Sequence, residues 1–290
     1  MTGPRWIKLM LASAPLALGL ALGLAPASAG CPALDGLIAS YESGGCRECH
    51  EDIHRQWEGS HHARSLMGLD DWIFMAPYLK KGPLALAGPG QEASRQNFPC
   101  AKCHAPQLLL APDQASAELA RVVLVDDKAT ARRLNIGCLV CHNLKAVARG
   151  RPEPGVIYGS RDLPDHPGRP VKKGPLLKDA LFCGQCHGLG PNLELETPVQ
   201  CATLYGSYLH AYLPSGGTQT CQDCHWQGKD HSAPPDFNRR EEAAERLRRA
   251  LPLEVEARAY RFQPKDGDQR PLVVVRTRVT SRAGHRIPDG

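Results

Sequence analysis

Hydrophobic and polar positions along this 290-residue chain fall into three regimes. Near the start, Arg5 and Lys8 precede an apolar run of Leu, Ala and Gly that reaches about residue 25. Ala27-Ser28-Ala29 then sets small residues at the spacing of a cleavage site, so residues 1–29 read as a secretory signal peptide cut after Ala29. The run is long enough that an uncleaved membrane anchor is an alternative, since about 20 apolar residues span a bilayer. Lipidation of Cys31 is a second alternative, weakened by Ser28 standing where such signals usually carry Leu. No later segment is apolar enough to cross a membrane.

The last regime, residues 236–290, carries clear periodicity. Asn238 and Glu241 resemble a capping box. Ala243, Ala244, Leu247 and Leu251 follow at helical spacing, Arg248 and Arg249 occupy the last turn, and Pro252 stops it. Leu253, Val255, Ala257 and Ala259 alternate as in a strand, Asp266-Gly267 signals a turn, and Val273, Val275, Thr277 and Val279 alternate again. A two-stranded hairpin is marginally stable alone. It either docks on the rest of the chain or begins a larger, incomplete β module.

Between these, residues 30–235 show no sustained period. The stretch from Arg149 to Pro175 is dense in Pro and Gly and reads as a long irregular excursion with His166 at its middle. What does recur is Cys-x-x-Cys-His, five times: Cys46/Cys49/His50, Cys100/Cys103/His104, Cys138/Cys141/His142, Cys183/Cys186/His187 and Cys221/Cys224/His225. Two cysteines three apart lie one helical turn from each other, so both sulfurs can form thioethers to one porphyrin while the next histidine reaches the iron. Zinc sites need two such pairs or added, suitably spaced histidines, and a disulfide framework would not require His after every second Cys. The motifs therefore imply five covalently bound haem c groups, with His50, His104, His142, His187 and His225 as proximal ligands. Covalent haem attachment also requires export, which agrees with the N-terminus. The expected location is the periplasm, with the outer surface as the other option.

Motif starts are separated by 54, 38, 45 and 38 residues, too unequal for a solenoid. Aromatics make up only 6% of the chain, against 28 Gly and 25 Pro. Five porphyrins must then supply much of the core, and apo-protein is expected not to fold. The fold class is mainly α with much irregular loop, a multihaem cytochrome c fold organised around stacked haems, plus the small C-terminal β element. The formal charge of +5 drops when Arg5 and Lys8 leave and haem propionates are added, so nucleic-acid binding finds no support.

Seven histidines lie outside the motifs: His54, His61, His62, His166, His210, His231 and His285. Past residue 29 the only methionines are Met67 and Met75. Most haems are therefore expected to be bis-histidine, low-spin and of low potential. His54 lies one turn from His50 and should point elsewhere, while His61 could substitute for His62. Cys31 and Cys201 remain, either as a disulfide or, for Cys201, as a buried apolar residue.

Cys46-x-x-Cys-His50 with Trp57, Ser60, His62 and Ala63 resembles the first-haem signature of multihaem cytochromes related to the tetrahaem carrier that partners hydroxylamine oxidoreductase. Pro99-Cys100-x-x-Cys-His104-x-Pro106 and Gly137-Cys138-x-x-Cys-His142-Asn143 are similar to its middle motifs. Cys221-Gln-Asp-Cys224-His225 with His231 resembles its closing motif, although Trp226 stands where Met is common. Gly284-His285-Arg-Ile-Pro288-Asp-Gly290 resembles an element of longer extracytoplasmic members. The resemblance implies His62 and His231 as distal ligands, with His285, His210 and His166 following. It implies electron transfer with other cytochromes or redox enzymes. The N-terminal run and Cys31 leave membrane association through an uncleaved N-terminus or a lipid as an option, and a further possibility is a structural role, haems stacking between subunits of an oligomer into a wire, which His285 would support by reaching a neighbouring subunit's haem. The alternative is an oxidoreductase acting on a small nitrogen or sulfur compound at one open haem; no motif here ends in the Lys that marks such a haem in pentahaem nitrite reductases.

Overall fold

The computed structural model describes residues 32–68, 71–81, 92–188, 203–227, 230–234 and 239–287. The expected signal peptide, Cys31 and Cys201 lie outside these residues.

Helix α1 (Pro32–Tyr41) packs against a later helix, α6 (Asp113–Leu124), and short helices lie between them in the chain. These are α2 (Gly44–Arg47), α3 (Glu51–Glu58), α4 (Ala76–Lys80) and α5 (Ala101–His104). Leu34 and Ile38 on α1 are one turn apart, and Ala115, Leu119, Val122 and Val123 recur at helical spacing on α6 (Asp113–Leu124), so the two apolar stripes meet. Leu66, Ile73, Met75, Leu79, Phe98, Leu108 and Leu134 complete this core. Glu118 is buried within it and accepts hydrogen bonds from the Leu34 amide (2.8 Å) and from Gln114 Nε2 (2.8 Å). The carboxylate thereby satisfies an amide at the start of α1 that has no partner within its own helix.

This core corrects one expectation: side chains alone bury a substantial centre in the first half of the chain, and both Met67 and Met75 belong to it. The second half differs. After Ala180 hardly any described side chain is buried. Helices α7 (Lys128–Arg133), α8 (Ala180–His187), α9 (Leu204–Ser207) and α10 (Cys221–His225) are short and joined by turns, as the Gly and Pro content implied.

The 149–175 excursion is not helical, but neither is it irregular throughout. Strands β1 (Ile157–Gly159) and β2 (Val171–Lys173) pair in parallel, Ile157 opposite Val171, and Leu163 bridges to Val171. This pairing closes a loop that presents His166 near its tip.

Toward the C-terminus, α11 (Arg240–Ala250) ends before Pro252. Arg239 occupies its cap position, and the Asn238 of the expected capping box lies outside the described residues. Strands β3 (Leu253–Phe262) and β4 (Arg270–Val279) pair antiparallel, Leu253 opposite Val279 and Phe262 opposite Arg270. All residues of both strands are exposed, so the hairpin is not docked on the described remainder of the chain.

Candidate functional site

Each motif folds as a tight turn that brings its residues to one side. In the first, the His50 amide donates to the Cys46 carbonyl (3.0 Å), and in the second the His104 amide donates to the Cys100 carbonyl (3.1 Å). The third enters through Gly137, where an added Cβ would sit 2.5 Å from Ser43 Oγ; Ser43 Oγ in turn accepts from the Cys138 amide (3.1 Å). Glycine is needed here because motif three approaches the turn that opens motif one. Asp179 caps α8 of the fourth motif, and Thr220 and Asp223 form a reciprocal capping box on α10 of the fifth.

The motifs also touch one another. The Cys46 and Cys138 thiols hydrogen-bond, as do those of Cys183 and Cys221, and Cys103 Sγ reaches the Cys186 carbonyl (3.8 Å). These sulfurs stand in for thioether sulfurs. Their contacts set attachment points one beside three, two beside four, and four beside five. Gln185 Nε2, donating to the Lys145 carbonyl (2.8 Å), links four to three.

Cys49 and Cys224 differ from the other motif cysteines in exposure. Both are exposed, whereas the other eight motif cysteines are half-buried. The physical reason is their place in the array: each is the second cysteine of a terminal motif, first or fifth, and the neighbouring motif is met by the first cysteine instead, Cys46 against Cys138 and Cys221 against Cys183.

Four motif histidines each face a second imidazole. Ring centroids lie 6.1 Å apart for His50–His166, 6.2 Å for His62–His187, 6.3 Å for His142–His231 and 6.3 Å for His225–His285. A metal–imidazole bond of about 2.0–2.1 Å on each side, plus about 1.1 Å from nitrogen to ring centre, requires roughly 6.2–6.4 Å. The four spacings fit an iron held between each pair. Ring planes are close to parallel in three pairs (2°, 20° and 18°) and close to perpendicular in His62–His187 (73°).

Hydrogen bonds orient these rings. Nδ1 of His142 meets the Tyr158 carbonyl (2.8 Å), Nδ1 of His166 the Arg169 carbonyl (3.1 Å) and Nδ1 of His285 the Arg286 carbonyl (2.8 Å). His225 Nδ1 meets the Pro234 carbonyl, and His104 Nδ1 the Ser65 carbonyl (2.8 Å). A carbonyl only accepts, so each Nδ1 carries the proton and leaves Nε2 as the metal-ligating lone pair. Burial also holds the imidazoles of His104, His142, His187 and His225 below the ordinary histidine value. His62 is pushed down to about 4, by burial first and then by His187, His61 and His104. Neutral imidazole is the form that binds iron.

The distal candidates are positioned by distant backbone. Ile136 ties the first helices to the third motif: its amide donates to the His62 carbonyl (3.0 Å) and its carbonyl accepts from Trp57 Nε1 (2.9 Å). The His231 amide donates to Gln56 Oε1 (3.0 Å). His54 is buried edge-on to Trp57 (5.1 Å), pointing elsewhere as expected. His210 is exposed and, among the described residues, its ring faces no motif histidine. His285 faces His225 of its own chain, so the cross-subunit arrangement is not what this geometry presents.

His104 differs. Its ring packs against Phe74 at 4.5 Å, too close for a metal between them. Phe74 was not anticipated from sequence; nothing in the pattern around Trp72-Ile73-Phe74 distinguishes a core aromatic from a haem-site wall. Among the described residues, no three His, Cys, Asp or Glu side chains converge as a closed zinc site requires, and no helix is long and apolar enough to cross a membrane.

Residues 45–143, which contain the first three motifs, match the family model described as cytochrome c554 and c-prime. The match covers roughly a third of the chain and supports a multihaem c-type cytochrome with covalently bound haem and a role in electron transfer. No curated protein and no solved structure matches the chain.

Proposed function

We propose that this chain is an exported five-haem c-type cytochrome that passes electrons between other cytochromes or redox enzymes. The observation that carries the reading is the set of four His–His pairs at the spacing of a shared iron. The ten motif cysteines would attach the haems, with the exposed Cys49 and Cys224 marking the solvent-facing edges of the first and fifth. His50, His104, His142, His187 and His225 would be proximal ligands, and His166, His62, His231 and His285 would be distal. His210, exposed on the turn after α9, is not proposed as a ligand.

When bound, haem supplies a one-electron iron couple, and two neutral imidazoles favour low potential. The protein's own part is to hold those imidazoles in the Nε2-ligating tautomer and set the attachment points side by side. Nucleic acid is not a proposed partner. Mass determination of purified protein together with a pyridine haemochrome assay tests the reading. Five covalent haems support it, and none would overturn it.

A second reading is favoured by one site. His104 is buried with its Nδ1 already bonded to Ser65, and Phe74 walls its ring. A haem there would keep an open position, as an oxidoreductase acting on a small nitrogen or sulfur compound needs. Turnover of nitrite or hydroxylamine by the purified protein would place this reading first.

A further inference from the structure

We propose that Tyr212 sets the spacing of the His225–His285 pair and is thus a positioning residue for the fifth site. This rests on the reading of His285 as distal ligand. His285 follows a hairpin whose strands are exposed throughout, so β3 and β4 have no packing of their own that would hold its ring opposite His225. The hold comes from the other side. Tyr205, Tyr208 and Tyr212 lie on one face of α9 and the wide turn that continues it, and their rings stack at 6.0 Å (19°) and 5.6 Å (27°). Such a column is rigid because each ring limits the rotation of the next.

Its lower end is seated in the fourth motif. A Cβ added at Gly184, between Cys183 and Cys186, would lie 2.6 Å from the Tyr205 ring. The upper end, Tyr212, meets both halves of the fifth site at once. A Cβ added at Gly217 would lie 2.4 Å from its ring, and its hydroxyl accepts from the Gln219 amide (3.2 Å). Gln219 leads directly into Thr220, the cap of the helix that carries His225. On its other side, a Cβ added at Gly284 would lie 3.8 Å from the Tyr212 ring. Gly284 immediately precedes His285. A single ring therefore abuts the segment that launches the proximal ligand and the one that delivers the distal ligand. Arg286, just past His285, donates to Thr203 Oγ1 (2.5 Å) at the start of α9, so the same helix grips the loop twice.

Removing the Tyr212 ring should let the His285 loop drift away from the iron while all five haems stay attached. Tyr212→Phe keeps the ring and loses only the hydroxyl. Gly217→Ala pushes on the ring from the proximal side. Gly284→Ala adds a methyl at ordinary contact distance and serves as the control.

The test counts low-spin irons by Mössbauer spectroscopy in oxidised protein, with haem content checked by mass. Four low-spin irons are expected in Tyr212→Phe and Gly284→Ala, and three in Tyr212→Ala and Gly217→Ala. Four low-spin irons in Tyr212→Ala or Gly217→Ala would overturn the proposal. So would incomplete haem loading in both, since Tyr212 is given no part in attachment. His285→Ala separates the two levels: if it keeps four low-spin irons, the distal-ligand reading itself fails.

Discussion

The imidazoles of His50 and His166 face each other at 6.1 Å with their planes 2° apart, although a loop from a different part of the chain delivers His166. The parallel β1–β2 pair closes that loop, and the Arg169 carbonyl fixes which nitrogen of His166 is presented. The relationship shows how a chain with little regular structure brings two distant imidazoles face to face: two-residue contacts at loop ends replace long elements.

Ring angles give the first prediction. Parallel axial imidazoles split the iron dπ orbitals and give a rhombic low-spin EPR signal, whereas perpendicular ones leave them nearly degenerate and give a single large-gmax feature. Three rhombic signals and one large-gmax signal are expected, the last from His62–His187 at 73°. His62→Ala should abolish the large-gmax feature and leave the rhombic signals. Loss of a rhombic signal instead would contradict the pairing.

Acid should act late on the His62 site. The folded-state value of His62 is pushed down to about 4, below the ordinary 6.5. The unfolded chain therefore binds a proton that the folded one refuses between those values. Stability from neutral His62 is full above 6.5 and is lost progressively as pH falls toward 4. Ligation to iron opposes protonation further. The large-gmax signal is expected to persist at pH 5.5 and to fade only below about 4; fading that tracks an ordinary histidine near 6.5 would contradict the burial of this ring.

A steric prediction concerns motifs one and three. Gly137→Ala places a methyl 2.5 Å from Ser43 Oγ and should destabilise the holoprotein by about 1–3 kcal/mol. Adding Ser43→Gly should recover part of the loss. Denaturant unfolding reads both. An unchanged midpoint in Gly137→Ala would mean that the two turns are not held in close approach.

Much of the site was legible in the sequence, but unevenly. The Cys-x-x-Cys-His motifs announce their chemistry because the spacing is local, within one helical turn. Spacing does not report burial, however, so the exposure of Cys49 at the end of the array left no trace in it. The hairpin was equally readable, since alternation at Leu253–Ala259 and Val273–Val279 is also local. The proposed distal ligands were readable only as a pool. That His166 faces a motif histidine and His210 is exposed depends on a β1–β2 contact and on the turn after α9, neither of which leaves a periodic trace. His231 is aligned by Gln56, from the far end of the described chain, and Phe74 reached His104 through a core that composition had understated. Low aromatic content suggested haems as the main core, but Leu, Ile, Val and Ala on α1 and α6, with Phe98, build one from side chains.

The most direct test of the central claim is the Mössbauer spectrum of oxidised, fully loaded protein at pH 7, with haem number fixed by mass. Five covalent haems are predicted, four of them low-spin with two histidine ligands and one, at His104, without a second histidine. A predominantly high-spin spectrum, or fewer than five haems in the intact protein, would contradict the account.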